Sequence, residues 1–241
     1  MLENPSIQSV LVHVTPICKG FYDVRSDNPS GADNQQGSPS FPTSGGDVTP
    51  QRLHAELLAV GAKGLEAYLQ GALRDATRSA LHRTHRFSQS NVDWLTLVGT
   101  ALSLLGHRSW MYREGRTRNL WVLETTAKFL SLDFDPLELV GTPYGLSYVR
   151  GYFDTDGGMP RDPKARLYRQ LCQKDRASLE SVVTVLDGWA IRCGRVHNPS
   201  VRVDPDYWRV FVRSCSHESF MRLVGSWHPV KRQQIQTRMK I

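Results

Sequence analysis

Along the chain, apolar positions keep helical spacing in some stretches and alternate with polar ones in others. Leu53, Leu57, Leu58 and Val60 follow Thr49-Pro50, a capping residue and a first-turn proline, so a helix is expected there, leading toward Tyr68–Thr77. Trp94, Leu95, Leu97, Val98, Ala101, Leu102, Leu104 and Leu105 carry helical spacing, and Gly106 stops that helix. Ser109–Tyr112 and Leu120–Glu124 read as strands joined by the basic turn Arg113–Asn119. A similar order returns later. Leu179, Val182, Val183, Val185 and Leu186 predict a helix closing near Gly188, with strands over Ala190–Arg195 and Tyr207–Arg213. In the last strand Trp208, Val210 and Val212 alternate with Arg209, Phe211 and Arg213.

That recurrence extends to individual residues. Tyr68-Leu69-Gln70-Gly71 and Tyr148-Val149-Arg150-Gly151 share a tyrosine and a glycine 80 residues apart, and Ala67 and Ser147 each put a small residue four before the glycine. Such spacing clears a helix–helix contact. Ser88-Gln89-Ser90-Asn91 with Leu95 and Val98 matches Cys172-Gln173-Lys174-Asp175 with Leu179 and Val182, and Leu139-Val140-Gly141-Thr142 matches Leu223-Val224-Gly225-Ser226, both at an offset of 84. Segments that keep one order and nearly one spacing indicate a tandem repeat.

Composition narrows the partners. The chain has 241 residues, 40% of them hydrophobic, which suffices for one substantial core or two small ones. A net charge of +7 predicts an anionic partner such as nucleic acid. Cys18, Cys172, Cys193 and Cys215 form no CxxC pair or zinc-ligand spacing and read as reduced filler residues. No apolar run approaches the ~18 residues of a membrane span, and the N-terminus lacks the form of a signal peptide, so a soluble intracellular protein is expected. Ser26–Pro50 is rich in Ser, Gly, Pro, Asn and Asp and reads as a disordered linker; residues 1–25 hold one strand-like run, Ser9–Val14.

The segment from Tyr148 to Gly158, YVRGYFDTDGG, resembles the signature helix of the LAGLIDADG homing endonucleases, with Val149–Gly157 on the letters of the motif. The resemblance implies an α+β fold of tandem αββαββα repeats related by a pseudo-two-fold axis, with antiparallel sheets forming a DNA-binding saddle. The divisions are then residues 1–50 as an extension, 51–143 as a degenerate first repeat and 144–241 as a second. A monomer of pseudo-dimeric form follows. The hairpin after each motif looks short for the family, since Thr77 and Gln89 leave room for little more than two strands of ~5 residues and a tight turn.

The chemistry the resemblance implies is phosphodiester hydrolysis assisted by Mg2+ or Mn2+. Asp156 falls on the family's metal-ligand position, Gln173 on a polar position near the reacting water, and Lys231 where many members carry a lysine. The first half is less complete. Gln89 matches Gln173, but Ala76 stands at the position of Asp156, Arg74 replaces the other acid, and Asp75 is one residue out of register, about 100° round a helix, where it serves the site only if the helix end unwinds; simple loss is the favoured reading. Loss of the first acid predicts an enzyme that only nicks DNA, or else an intron-RNA maturase, or a DNA-binding protein without catalysis.

For the DNA contacts the expected residues are Arg78, Arg83 and Arg86 after the first motif and Arg161, Lys164, Arg166 and Arg169 after the second. Arg113, Arg116 and Arg118 lie in one later hairpin, and Arg192, Arg195, Arg202, Arg209 and Arg213 in the other. Arginine suits phosphate and guanine because its fork bonds bidentately. His82-Arg83-Thr84-His85 has HxxH spacing without a third ligand and reads as an outward-facing pair.

Overall fold

The computed structural model describes residues 50–115, 117–162 and 164–239. The expectations for Ser9–Val14, for the linker up to position 49 and for Arg116 lie outside those residues.

Helices α1 (Pro50–Ala59) and α2 (Gly61–Ala72) meet at Val60, and α2 opens on a glycine in the left-handed region, Gly61 at φ +69°. A 3-10 turn, Leu73–Asp75, continues α2. Strands β1 (Thr77–Arg78) and β2 (His85–Gln89), helix α3 (Val92–Leu104), and strands β3 (Ser109–Arg113) and β4 (Trp121–Thr125) complete the first half. In the second, α4 (Pro143–Asp156) is followed by β5 (Gly157–Gly158), β6 (Gln170–Gln173), α5 (Arg176–Asp187) and β7 (Trp208–Phe211), then by α6 (His217–Leu223) and α7 (Pro229–Met239). The architecture is α+β, with antiparallel sheets in the orders β1-β2-β4-β3 and β5-β6-β7.

Local chemistry is alike in the halves. Each longer first strand ends on a glutamine, Gln89 or Gln173, and an Asx cap opens the next helix two residues on. Asn91 accepts from the Trp94 N–H at 2.7 Å and Asp175 from the Ala177 N–H at 3.0 Å, satisfying donors that a first turn leaves open. Gly141 and Gly225, at φ +74° and +61°, turn the chain at matching places.

The centre is the α2–α4 pair. A Cβ on Gly71 would lie 1.9 Å from the Tyr148 carbonyl oxygen, and one on Gly151 would lie 1.9 Å from that of Tyr68. The contact is reciprocal, so the two glycines let the backbones touch as their spacing foretold. One apolar core lies on each side: Tyr68, Phe87, Trp94 and Leu123 belong to the first, and Tyr152, Phe153, Leu171 and Phe220 to the second. Trp227 enters the first core although it lies late in the chain.

Two strand expectations are corrected. Ala190–Arg195 forms no strand: Gly194 N–H bonds the Phe211 carbonyl and His197 N–H that of Arg209, so the chain beside β7 has one residue more than the strand it faces. An extra residue of this kind breaks a ladder as a bulge does. The first hairpins are also unequal, because β1 and β5 are two residues long, with turns and irregular chain replacing the rest. No helix among the described residues is long and apolar enough to cross a membrane.

Candidate catalytic site and nucleic-acid face

At its C-terminal end α4 stays α-helical as far as Asp156, with the Gly157 N–H bonding the Phe153 carbonyl. Gln173, at the end of β6, donates from Nε2 to Asp156 Oδ2 at 3.0 Å and to the Arg74 carbonyl at 3.4 Å. Its own Oε1 accepts from the Lys174 N–H at 2.8 Å, which fixes the amide's orientation. Lys231, in the first turn of α7, donates from Nζ to the carbonyls of Phe153 and Asp154, the latter at 2.9 Å. Asp156, Gln173 and Lys231, far apart in sequence, thus meet at one helix end.

Asp75 joins them. The α2 helix ends at Ala72 and the next residues wind as a 3-10 turn, closed by the Ala76 N–H on the Leu73 carbonyl at 2.9 Å. A 3-10 turn advances about 120° per residue against about 100° in an α-helix, so by Asp75 the three-residue turn has carried the chain about 60° further round, toward the angle that strict helical counting gave to Ala76. Burial pushes its carboxyl up to about 6, with the Lys231 ammonium pulling the other way. Burial also raises Asp156, the Asp75 carboxylate raises it further, and Lys231 opposes both. A carboxyl from the first half therefore lies beside Asp156, one position before Ala76.

The other motif position is structural in both halves, with its charge inverted. Asp154 is buried and accepts from the Tyr68 hydroxyl at 2.9 Å, the Ser226 hydroxyl, the Trp227 N–H at 3.0 Å and the His228 N–H at 3.1 Å. Those N–H groups lead into α7, so the carboxylate anchors the helix that carries Lys231. In the first half Arg74 donates to the Tyr148 hydroxyl at 2.9 Å, to the Leu132 carbonyl at 3.2 Å and to the Phe134 carbonyl. An acid gathers N–H groups where an arginine gathers carbonyls. Arg74 is a working counterpart of Asp154 rather than a lost acid.

The expected DNA contacts scatter. Arg78, Arg83, Arg113, Arg118, Arg161, Lys164, Arg166, Arg192, Arg195, Arg202 and Arg213 are exposed. Arg169 is not: it is 1% exposed, with Nε and one terminal nitrogen unpartnered, and burial lowers it to about 10. Its stem sits where the chain enters β6, and its carbonyl accepts from the Val212 N–H, so the side chain points into the fold. His85 is buried in β2 while His82 is exposed, which also corrects the outward pair. In the first sheet Phe87 and Leu123 face the core, and register puts Arg86, Glu124, Trp110 and Tyr112 on the opposite face. In the second sheet Leu171 and Val210 face inward, and register puts Cys172, which is itself buried, with Arg209 and Phe211 on the opposite face. Gln89 ends β2 opposite Trp121, the place matching Gln173.

No family model and no curated protein matches the chain. Solved structures do. I-DmoI in complex with DNA and manganese aligns with a TM-score of 0.51 and 16% identity over 68% of this chain and 98% of that one. The N-terminal LAGLIDADG domain of DUF199/WhiA aligns with a TM-score of 0.54 and 15% identity over 74% of this chain and 93% of its own. Full-length DUF199/WhiA from Thermatoga maritima gives 0.54 and 15% over 79% of this chain and 66% of its own. The chain has the LAGLIDADG fold.

Asp75 follows α2 and Asp156 closes α4, so both acids lie together at one end of the helix pair that meets at Gly71 and Gly151. Asp156, Gln173 and Lys231, expected from the sequence as site residues, lie together, and the two glycines meet as their spacing implied. Sequence reading undervalued Asp75, Arg74 and Asp154. A signal for Asp75 was present, since Leu73-Arg74-Asp75-Ala76-Thr77 runs from helix directly toward a strand and so must leave α geometry.

Proposed function

We propose that this chain is a site-specific endonuclease that binds double-stranded DNA across its two sheets and hydrolyses phosphodiester bonds at the Asp75–Asp156 pair with Mg2+ or Mn2+. The observation that carries the reading is the meeting of one carboxylate from each half beside Gln173 and Lys231. I-DmoI, which shares the fold, is a homing endonuclease seen with DNA and manganese and with DNA and calcium. That supports a DNA target and a divalent ion.

The donors suit such an ion. Asp75 and Asp156 offer hard oxygens whose mutual repulsion a dication would relieve. Among the described residues no three His, Cys, Asp or Glu side chains converge, so water and phosphate oxygens would complete the shell, a common arrangement for Mg2+. When bound, the ion neutralises charge on the attacking and leaving oxygens. Gln173 holds Asp156 in one orientation, and Lys231, fixed on two carbonyls, places a positive charge beside both acids. Having an acid from each half, the chain cuts both strands, where a single acid would nick. It works as a monomer, since both acids come from one chain.

The test is incubation with Mg2+ and a plasmid library of random target sites, separating closed, nicked and linear DNA. Linear product supports the reading. Closed DNA despite tight binding would favour a binding-only protein, and acceleration of host-intron splicing would favour the maturase.

A further inference from the structure

Arg86 differs from the exposed arginines around it. On the outer face of the β1–β4 sheet, one terminal nitrogen donates to Glu114 Oε1 at 2.7 Å and to the Tyr112 hydroxyl at 3.3 Å, and Nε faces Glu124 Oε1 at 3.2 Å. Glu124 is buried and already engaged, accepting from the Thr84 hydroxyl at 2.7 Å and the Tyr112 hydroxyl at 2.5 Å. Glu114 is open, with 41% of its side chain exposed. An arginine held between two acids makes a poor phosphate contact, because both carboxylates would face the anionic backbone with it. A base edge is another matter. In the major groove guanine presents two acceptors and its paired cytosine an amino donor, which a guanidinium next to a carboxylate complements.

We propose that Arg86 and Glu114 together read one G·C base pair of the target. Arg86 donates to guanine O6 from the terminal nitrogen that Glu114 and Tyr112 leave unused, and Glu114 accepts from the cytosine N4 amino group. Glu124 and Tyr112 are positioning residues that hold the plane of the guanidinium. The inference rests on the DNA-binding reading above and adds a determinant of specificity to it.

The test is selection from a random duplex library by the full chain, followed by sequencing, for wild-type, Arg86→Lys, Glu114→Gln and Glu124→Gln proteins whose folding is checked by circular dichroism. Wild-type protein should enrich a G·C pair at one fixed position. Arg86→Lys and Glu114→Gln should each lose ~10-fold or more of the preference at that position and keep the others. Glu124→Gln should weaken the same position alone, an effect that a purely structural role would not confine to one base pair. If Arg86→Lys and Glu114→Gln keep the wild-type preference throughout, the inference is overturned and the DNA reading stands. A wild-type protein that enriches no sequence overturns the DNA reading and this inference with it.

Discussion

Gly71 has no room for a side chain because the carbonyl of Tyr148 occupies the place a Cβ would take, 1.9 Å away. The neighbour is backbone and cannot rotate aside. Gly71→Ala should therefore cost about 3 kcal/mol or more, above the usual range for overpacking, and Gly151→Ala should match it. Gly61 makes the contrast. It has a positive φ but nothing within 4 Å, so Gly61→Ala should cost only about 1 kcal/mol, from backbone strain alone. Urea unfolding of the three variants checks both numbers; equal costs at Gly61 and Gly71 would count against the close helix contact.

Asp154 supports the site from behind. Asp154→Ala would leave the Tyr68 hydroxyl proton and the Trp227 N–H unpaired in the interior and the His228 N–H held by Ser226 alone, at a cost of about 3–5 kcal/mol. Hydrogen exchange should quicken at Trp227 and His228 before the rest of the fold loosens. Unchanged protection there would mean that α7 is held by something else.

The acid pair should make stability depend on pH in an unusual direction. Asp75 is raised from 3.8 to about 6 and Asp156 is raised as well, so the folded state holds these protons more tightly than the unfolded chain. The contribution of Asp75 to stability is full below pH 4 and is lost as pH rises through about 6, and that of Asp156 falls in the same direction. Metal-free protein should melt at a lower temperature at pH 7 than Asp75→Asn does, after both are referenced to pH 4. Added Mg2+ binds the deprotonated pair, so its affinity should climb as pH rises through about 6, where Asp75 loses its proton, which calorimetric titration would show.

Arg169 should be dispensable for DNA. Since its guanidinium is buried without full partners, Arg169→Met should be neutral or stabilising by about 1 kcal/mol, and affinity for duplex DNA should stay within about twofold. A large fall in affinity would restore it as a contact.

These cases show where the sequence was readable. The glycines, the strand-ending glutamines and the cap residues Asn91 and Asp175 act through neighbours only a few residues away or through a repeated spacing, so their places could be counted along the chain. Asp75 could not be counted, because α2 gives way to a 3-10 turn after Ala72 and the angular register changes there. Arg74 looked like decay for a related reason. Its partners, the carbonyls of Leu132 and Phe134, lie in a segment that the motif does not include. Arg169 resembled its exposed neighbours in sequence, and only the path of the chain into β6 turned it inward.

The central claim is that Asp75 and Asp156 form one two-acid site. On a plasmid carrying the selected target, with Mg2+ at pH 8, wild-type protein should yield linear DNA. Under the same conditions, Asp75→Asn should yield nicked circles or intact plasmid while binding the target as tightly. Linear product from Asp75→Asn at the wild-type rate would contradict the claim.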